Sequence, residues 1–455
     1  MHIFKKVEIW VLYLLLVIFF IAMIGFGALV RHEIIRPESR FPLLSRAALF
    51  IAEIPINLKN LLSPTSNNLA VLEPGRFSNI SGFQGEPLKE ETYLLLSRYD
   101  GNVEQSVVEL VNLRSFAIKK RWNPDLDQMN ALVDTSRPEF EFLERDSNDK
   151  RGRILHPFLT EDGGLIFSYT GPVRKIDQNS QLVWQNQEDF SHHSIEQDHE
   201  GNFWVNTHML PDGMDEKYVS PGPHSFRDDA IAKVSPDGKI LFHKSVGKLL
   251  VENNMGYLLF RLGGLYGDPL HINDIEPVLT DSQYWKRGDV FLSLWFESMV
   301  ILYRPQTNKI IWKGMWNTAG IHDVDILDDH RISVFHNNII AGQFVNTVGS
   351  VNGANEVVIY DFETDAYSKY FDELLKDNEV RTPQEGRSQV LDNGDLFIEE
   401  TDAGRILYFN NDKSLQWQYV NRADNGKIYL GNWSRILYKP ADIKKVQHIL
   451  STSKN

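Results

Sequence analysis

Residues 9–30, IWVLYLLLVIFFIAMIGFGALV, are 22 consecutive apolar positions without a charge. At about 1.5 Å per helical residue, such a run crosses the ~30 Å hydrocarbon core of a bilayer with some tilt. It is longer than the roughly 7–15 residue core of a cleavable signal peptide, and no A-x-A site follows it, so an uncleaved signal anchor is predicted behind a short tail, 1–8. Residues 41–63 carry apolar positions in a helical rhythm, which predicts a juxtamembrane amphipathic helix. Residues 64–88 are rich in Ser, Asn, Pro and Gly and read as a linker, so 31–88 forms one juxtamembrane segment.

From about residue 90 to 440 the pattern changes to short strands between polar turns, and it repeats. In each copy a turn leads through one strand to a second, apolar strand, then across another turn to a strand with an aromatic. The apolar strands and aromatics are LVNL (110–113) with Trp122, VRKI (173–176) with Trp184, and IAKV (231–234) with Phe242. They continue as VILY (300–303) with Trp312, VVIY (357–360) with Tyr370, and ILYF (406–409) with Trp417. The gap from apolar strand to aromatic is eight to ten residues, the length of a hairpin. Six such copies predict an all-β fold, a six-bladed β-propeller over 89–440, with 441–455 as a C-terminal tail. A sandwich would not be expected to keep one order through six copies. Residues 207–229, 246–270 and 336–355 interrupt the repeat as long polar loops, functional lids or surface decoration.

Composition narrows the function. With 42% hydrophobic residues, ten Trp and 26 Phe, the chain buries a large core. A net charge of −14 without a basic cluster argues against nucleic acid as a partner, because phosphate binding needs a basic face. The absence of cysteine removes disulfides, Fe–S clusters and Cys-type zinc sites. Charges flanking the apolar run divide: Lys5 and Lys6 precede it, whereas Arg31, Arg36, Arg40 and Arg46 follow. The globular part is expected outside the cytoplasm.

In a propeller the innermost strand of each blade lines the central channel, so the residues that open these strands converge in space. They lie in SHHSIEQD (191–198), HINDIEPV (271–278), HDVDILDD (322–329) and GRSQVLDN (386–393). With Ile195, Ile275, Val324 and Val390 as equivalent apolar positions, His193, Asn273, His322 and Ser388 fall at one level. His192, His271 and Arg387 lie nearby, and His156 opens the preceding blade. A lone strand histidine is usually a satisfied core or surface residue; recurrence at one register points to a site. Three chemistries fit. A neutral imidazole, with Asp323 beside His322 to fix a tautomer, suits group transfer through a covalent intermediate. Inward histidines also suit Fe(II) or Zn, although no HExxH spacing is present and no metal is assigned. The third is a non-catalytic binding pocket. Trp295, Phe296 and Trp316 near these segments suit aromatic ligands, and equally suit packing between blades.

At these segments the sequence resembles the bacterial arylsulfotransferases. HINDIEPV and HDVDIL carry the resemblance most specifically, and SHHSIEQD adds a third match. The resemblance implies a six-bladed periplasmic propeller that moves a sulfuryl group from an aryl sulfate donor to a phenolic acceptor without a nucleotide donor or other cofactor. It implies that His322 is sulfurylated, that His271 and Asn273 hold the sulfuryl oxygens, and that His192 or His193 completes the cage. Two positions depart from the family pattern: Trp295 stands where an arginine is usual, and Ile321 where a glutamine precedes HD. Trp cannot replace the bidentate guanidinium. Arg387 or Arg287 from elsewhere in the chain is the candidate substitute.

Overall fold

The computed structural model describes residues 8–35, 42–62, 69–71, 74–210, 213–215, 218, 226–260, 267–341, 348–350 and 353–452. The chain divides into two compact units, Met1–Asn67 and Asn68–Asn455. The first holds two helices, Ile9–Ile35 and Pro42–Leu62. Ile9–Ile34 is long and apolar enough to cross a membrane, and its apolar side chains are exposed. At the C-terminal end of this span Glu33 accepts a hydrogen bond from the Ser45 hydroxyl and pairs with Arg46 at 3.5 Å, joining the helix ends. Of the charges flanking the span, Lys5, Lys6, Arg36 and Arg40 lie outside the described residues.

The second unit is an all-β, propeller-like arrangement of antiparallel meanders. Among the described residues there are three four-stranded sheets, one of five strands, one of seven, and a two-stranded ribbon. The sheet of Tyr93–Asp100, Gln105–Asn112 and Ala117–Trp122 takes its innermost strand, Arg435–Leu437, from the far end of the sequence. That pairing closes the ring. Apolar faces pack sheet against sheet: Leu95 and Leu110 against Leu165 and Ile176, Ile231 against Ile272 and Leu292, Val300 against Val334 and Val358. Phe335 and Val357 pack on Ile398 and Leu407, and Phe397 and Ile406 return to Leu94 and Val111.

The sheets do not separate into six four-stranded units. Strand Leu182–Gln197 runs 16 residues, pairing Gly171–Ile176 with its first half and Phe203–His208 with its second, so the sheets on either side share it. The two halves of this sheet nonetheless face each other, with Ile166 and Val173 against Ile195, Val205 and Ala232. Four of the six apolar repeat segments fall on strands one in from a sheet edge with their aromatics on the edge strand, whereas Trp184 falls on the shared Leu182–Gln197 strand and Trp417 on Ser414–Val420, which Gly82–Gly85 covers. Lys175 opposes Trp184, Lys233 opposes Phe242, Leu302 opposes Trp312 and Tyr408 opposes Trp417, each followed by a one-residue register shift. Such bulges increase the local twist of the outer hairpin.

Several expected loops carry structure. Gly82–Gly85, within the segment read as a linker, pairs with Ser414–Val420 as an edge strand. Pro440–Thr452, within and just before the expected tail, is a helix whose Val446 and Ile449 pack into the first sheet interface. Residues 246–270 contain the helix Val246–Glu252 with Leu249 and Leu250 buried, and 336–355 contain the ribbon Ile339–Ala341 with Val348–Ser350. Helix formation there is local amphipathic packing, which the strand periodicity concealed.

Gly404 is a position that only glycine fits. It has φ +61°, and an added Cβ would lie 2.1 Å from the Tyr429 carbonyl oxygen. Gly404→Ala is expected to lower stability by more than about 1 kcal/mol, read as a lowered Tm; an unchanged Tm would show that the two backbones can separate freely.

Candidate active site

Three of the inner strands begin with a break in their ladder. Ile272 opposes Leu294 and Asp274 opposes Ser293, which leaves Asn273 unpaired. Ile321 opposes His336 and Asp323 opposes Phe335, which leaves His322 unpaired. His192 opposes Asn206 and Ile195 opposes Val205, which frees His193 and Ser194. A bulge re-aims the side chain it releases. His156, His193, His271 and Trp433 also have positive φ, +45°, +56°, +51° and +60°. This conformation is uncommon for residues with a Cβ, and these four instances lie where strands enter the site.

The rings meet. His193 lies 5.5 Å, centroid to centroid, from both His271 and His322, and 4.9 Å from His192. Trp433 is 4.8 Å from His322, 5.9 Å from His193 and 5.3 Å from His156. Trp295 and Phe296 flank His271 at 5.7 and 5.5 Å. Asn273 and His322 are fully buried, and His193 nearly so. Both ring nitrogens of His322, both amide atoms of Asn273, Nδ1 of His193 and Nε1 of Trp433 are buried without a hydrogen-bond partner in the chain. So many orphaned polar atoms would be costly in a purely structural core and suit a polar ligand. His271 differs: its Nδ1 is 2.8 Å from Asp268 Oδ2, which fixes the ring.

Burial holds His322, His193, His192 and His156 well below the usual imidazole range. Neighbouring imidazoles reinforce this for the first three, and Arg435 and Arg387 do so for His156. At His322 the Gly386 and Gln384 carbonyls oppose the shift without reaching hydrogen-bond geometry. These rings are neutral at physiological pH, with lone pairs available.

Below them lies a tier of carboxylates that latches the inner strands together. Ser194 Oγ accepts from Ile275 N–H, Asp274 Oδ2 from Val324 N–H, and Asp323 Oδ2 from Ser388 N–H, each at 3.0 Å. Burial, with the Glu196 charge, pushes Asp274 up to about 7; burial also raises Asp323 and Glu276, and Asp325 to about 6. Arg387 lies 3.9 Å from Asp323 and 3.7 Å from Asp325, and its Nη1 is 2.5 Å from His156 Nε2. A cavity of about 440 Å³ opens beyond this tier, lined by Glu196, Glu276, Asp325, Arg387 and Arg435 among others, and does not reach the histidine cluster.

The structure therefore gathers His192, His193, His271, Asn273, His322 and Trp295 and assigns Asp323, Arg387 and Ser388 to the tier below. The latches make Ser388, not Val390, the equivalent of Ile275 and Val324, so Gly386 rather than Ser388 shares the level of His322. Ser388 stands where the other inner strands carry an apolar residue, so apolar positions alone misalign this strand by two. Asp323 does not hold the His322 ring; its carboxylate faces the next strand. Arg387 is committed to Asp323, Asp325 and His156, and Arg287 is exposed in the turn at the opposite end of the Ile272–Pro277 strand from His271. Trp295 packs beside His271 and donates from Nε1 to Asn337 Oδ1 at 3.2 Å. Trp316 sits instead against His336 and Tyr360 in a sheet interface.

Sequence reasoning missed Trp433, His208 and Asp229. Trp433, buried and fixed by Glu399 accepting its N–H at 2.7 Å, opens the closing strand. Continuing the inner-strand register to Asn432-Trp433-Ser434 would have found it. The His208 ring is tilted against that of His192 at 4.3 Å and lies 3.3 Å from Asp229, a grouping made across strands. Among the described residues, the His/carboxylate groupings close enough for a metal ion are this one with His192, and Asp328, Asp329 and His330 in an exposed turn.

The sequence model of a family described as Arylsulfotransferase (ASST) matches residues 156–422. No curated protein matches. Among solved structures the chain is similar to a protein of unknown function from Bacteroides caccae, 12% identical, covering 77% of this chain and 100% of that one, with a TM-score of 0.46. It is also similar to hydrazine synthase of Kuenenia stuttgartiensis (12% identity, 70% and 77% covered, TM-score 0.39). A further likeness is to virginiamycin B lyase of Staphylococcus aureus (8% identity, 61% and 72% covered, TM-score 0.34).

The carboxylate tier sets a pH dependence. Asp325 titrates near 6 when folded against 3.8 as the ordinary value, so between these the folded chain holds a proton that the unfolded chain has lost. This contribution favours folding below about pH 4 and disappears as pH rises through about 6. Asp325→Asn removes it, so the Tm of the variant relative to the parent is expected to climb between about pH 4 and 6 and then level off. A difference that ignores pH would mean that Asp325 is solvated like a surface carboxylate.

Proposed function

The chain belongs to the arylsulfotransferase family, and on that premise we propose that it transfers a sulfuryl group from a phenolic sulfate ester to a phenolic acceptor through the imidazole of His322. The observation that carries this reading is the neutral, partnerless His322 ring enclosed by His193 and Trp433. In the first half-reaction a lone pair on a His322 ring nitrogen forms the N–S bond as the S–O bond to the aryl group breaks. The aryl oxide leaves with the electron pair, and the N-sulfo imidazolium keeps its other ring proton. The acceptor phenolate then attacks sulfur and restores neutral His322. His193, His271 and the Asn273 amide supply donors to the sulfuryl oxygens, where fixed dipoles in a dry site act strongly. Trp295 and Phe296 form an aromatic wall for the aryl ring, and His192 backs the cage.

We read the ring as six blades, with Leu182–Gln197 shared by two of them. Successive apolar interfaces around the ring, including the one inside the seven-stranded sheet, support this count. We also read residues 1–8 as a tail, 9–30 as a signal anchor in the bacterial inner membrane, 31–88 as juxtamembrane and 89–440 as the propeller, which lies in the periplasm. The apolar span preceded by Lys5 and Lys6 supports that orientation. One observation favours a second reading, a divergent binding propeller: Trp295 supplies no charge where the family has a guanidinium.

Purified full-length protein incubated with p-nitrophenyl sulfate is expected to release nitrophenol in proportion to added phenol. Trapped without acceptor, the peptide holding His322 gains the mass of one SO3 group. His322→Asn is expected to lower kcat by at least about 10³-fold, as removal of a nucleophile does. Turnover that survives this substitution would refute the covalent route, and no turnover by the parent protein would leave the binding reading.

A further inference from the structure

We propose that His192, His208 and Asp229 form a binding site for one divalent transition-metal ion of the zinc or iron(II) class, a site that adjoins the His322 chemistry and shares His192 with its cage. The three residues come from neighbouring strands of one sheet. His192 lies within Leu182–Gln197, His208 ends Phe203–His208, and Asp229, directly opposite His208, begins Asp229–Val234. Asp229 Oδ1 is 3.3 Å from His208 Nε2 and 3.8 Å from His192 Nε2, and the three ligand atoms all lie within 4.8 Å of one another. Bonds of about 2.0–2.1 Å to a tetrahedral ion put ligand atoms about 3.4 Å apart, so small rotations of His192 complete the set.

Each of these three atoms is buried and lacks a hydrogen-bond partner. A proton shared between His208 and Asp229 would still leave the His192 nitrogen unsatisfied, whereas one cation satisfies all three. The ligands are also oriented from behind. Asp229 Oδ2 accepts from the Ile272 N–H at 3.4 Å, and Phe190 stacks on the His208 ring at 5.6 Å with an interplanar angle of 15°. Such outer contacts are how ligating side chains are held in position. Two imidazoles and one carboxylate leave at least one coordination position open, the arrangement of catalytic rather than structural sites. The fourth ligand is accordingly an oxygen of water or of a bound anion. The adjoining His271 ring, 6.4 Å from His192, is the nearest part of the histidine cluster from that side apart from His193.

The test is metal content, which does not depend on sulfuryl transfer. Full-length protein stripped with a chelator and re-equilibrated with Zn²⁺ is expected to hold one equivalent by elemental analysis, and Co²⁺ to give a visible absorption band saturating at one equivalent. Asp229→Asn, which preserves shape, and His208→Ala are each expected to weaken binding by at least about 100-fold. Circular dichroism of the metal-free proteins checks their fold; should His208→Ala misfold, Asp229→Asn supplies the measurement. A folded parent protein without bound zinc or a cobalt band would overturn the proposal, as would full binding retained by folded Asp229→Asn.

Discussion

One kind of contact governs this protein: a side chain on one inner strand accepting the backbone N–H of the next. Inner strands of neighbouring sheets do not form a ladder with one another, so their N–H groups near the axis need other acceptors. Ser194, Asp274 and Asp323 provide them at one uniform distance. Leaving such a buried donor without an acceptor costs about 1–3 kcal/mol, which makes the register of one strand binding on the next. The depth of every histidine is counted from this tier. His193, Asn273 and His322 precede the latching residues by one position each.

The latches gather several carboxylates in a confined channel, and Arg387 and Arg435 offset part of their charge. Arg435 holds Glu196 at 2.9 Å, and Arg387 reaches from Asp323 and Asp325 to His156. The remaining carboxyls relieve repulsion and burial by holding protons to higher pH. Above them the imidazoles respond to the same desolvation in the opposite sense and stay neutral. One low-dielectric axis thus carries two layers whose protonation differs from that of the same groups in water. Neutral rings are what a nucleophile or a metal ligand requires.

The site is completed only by closure of the ring. Trp433, against both His322 and His193, belongs to the segment that carries the last strand back to the first sheet, and Glu399 of the preceding sheet fixes its backbone. An open ring would lose this wall together with the apolar interface of Leu94 and Val111 against Phe397 and Ile406. Site geometry and global fold are therefore coupled through one aromatic residue.

The sequence by itself determined what short-range periodicity carries. The 22-residue apolar run, the recurring apolar strand and its outer aromatic, and the histidines that open separate inner strands are all local patterns set by side-chain alternation and turn chemistry. Only the tertiary structure decided the rest. The true register of Ser388, the turning of Asp323 away from His322, the aromatic lid of Trp433 and the meeting of His192 with His208 and Asp229 depend on bulges and on contacts between strands. A bulge shifts every later side chain, and nothing in alternation alone marks where the extra residue falls. Convergence at a common axis is a property of the closed ring, and no single strand encodes it.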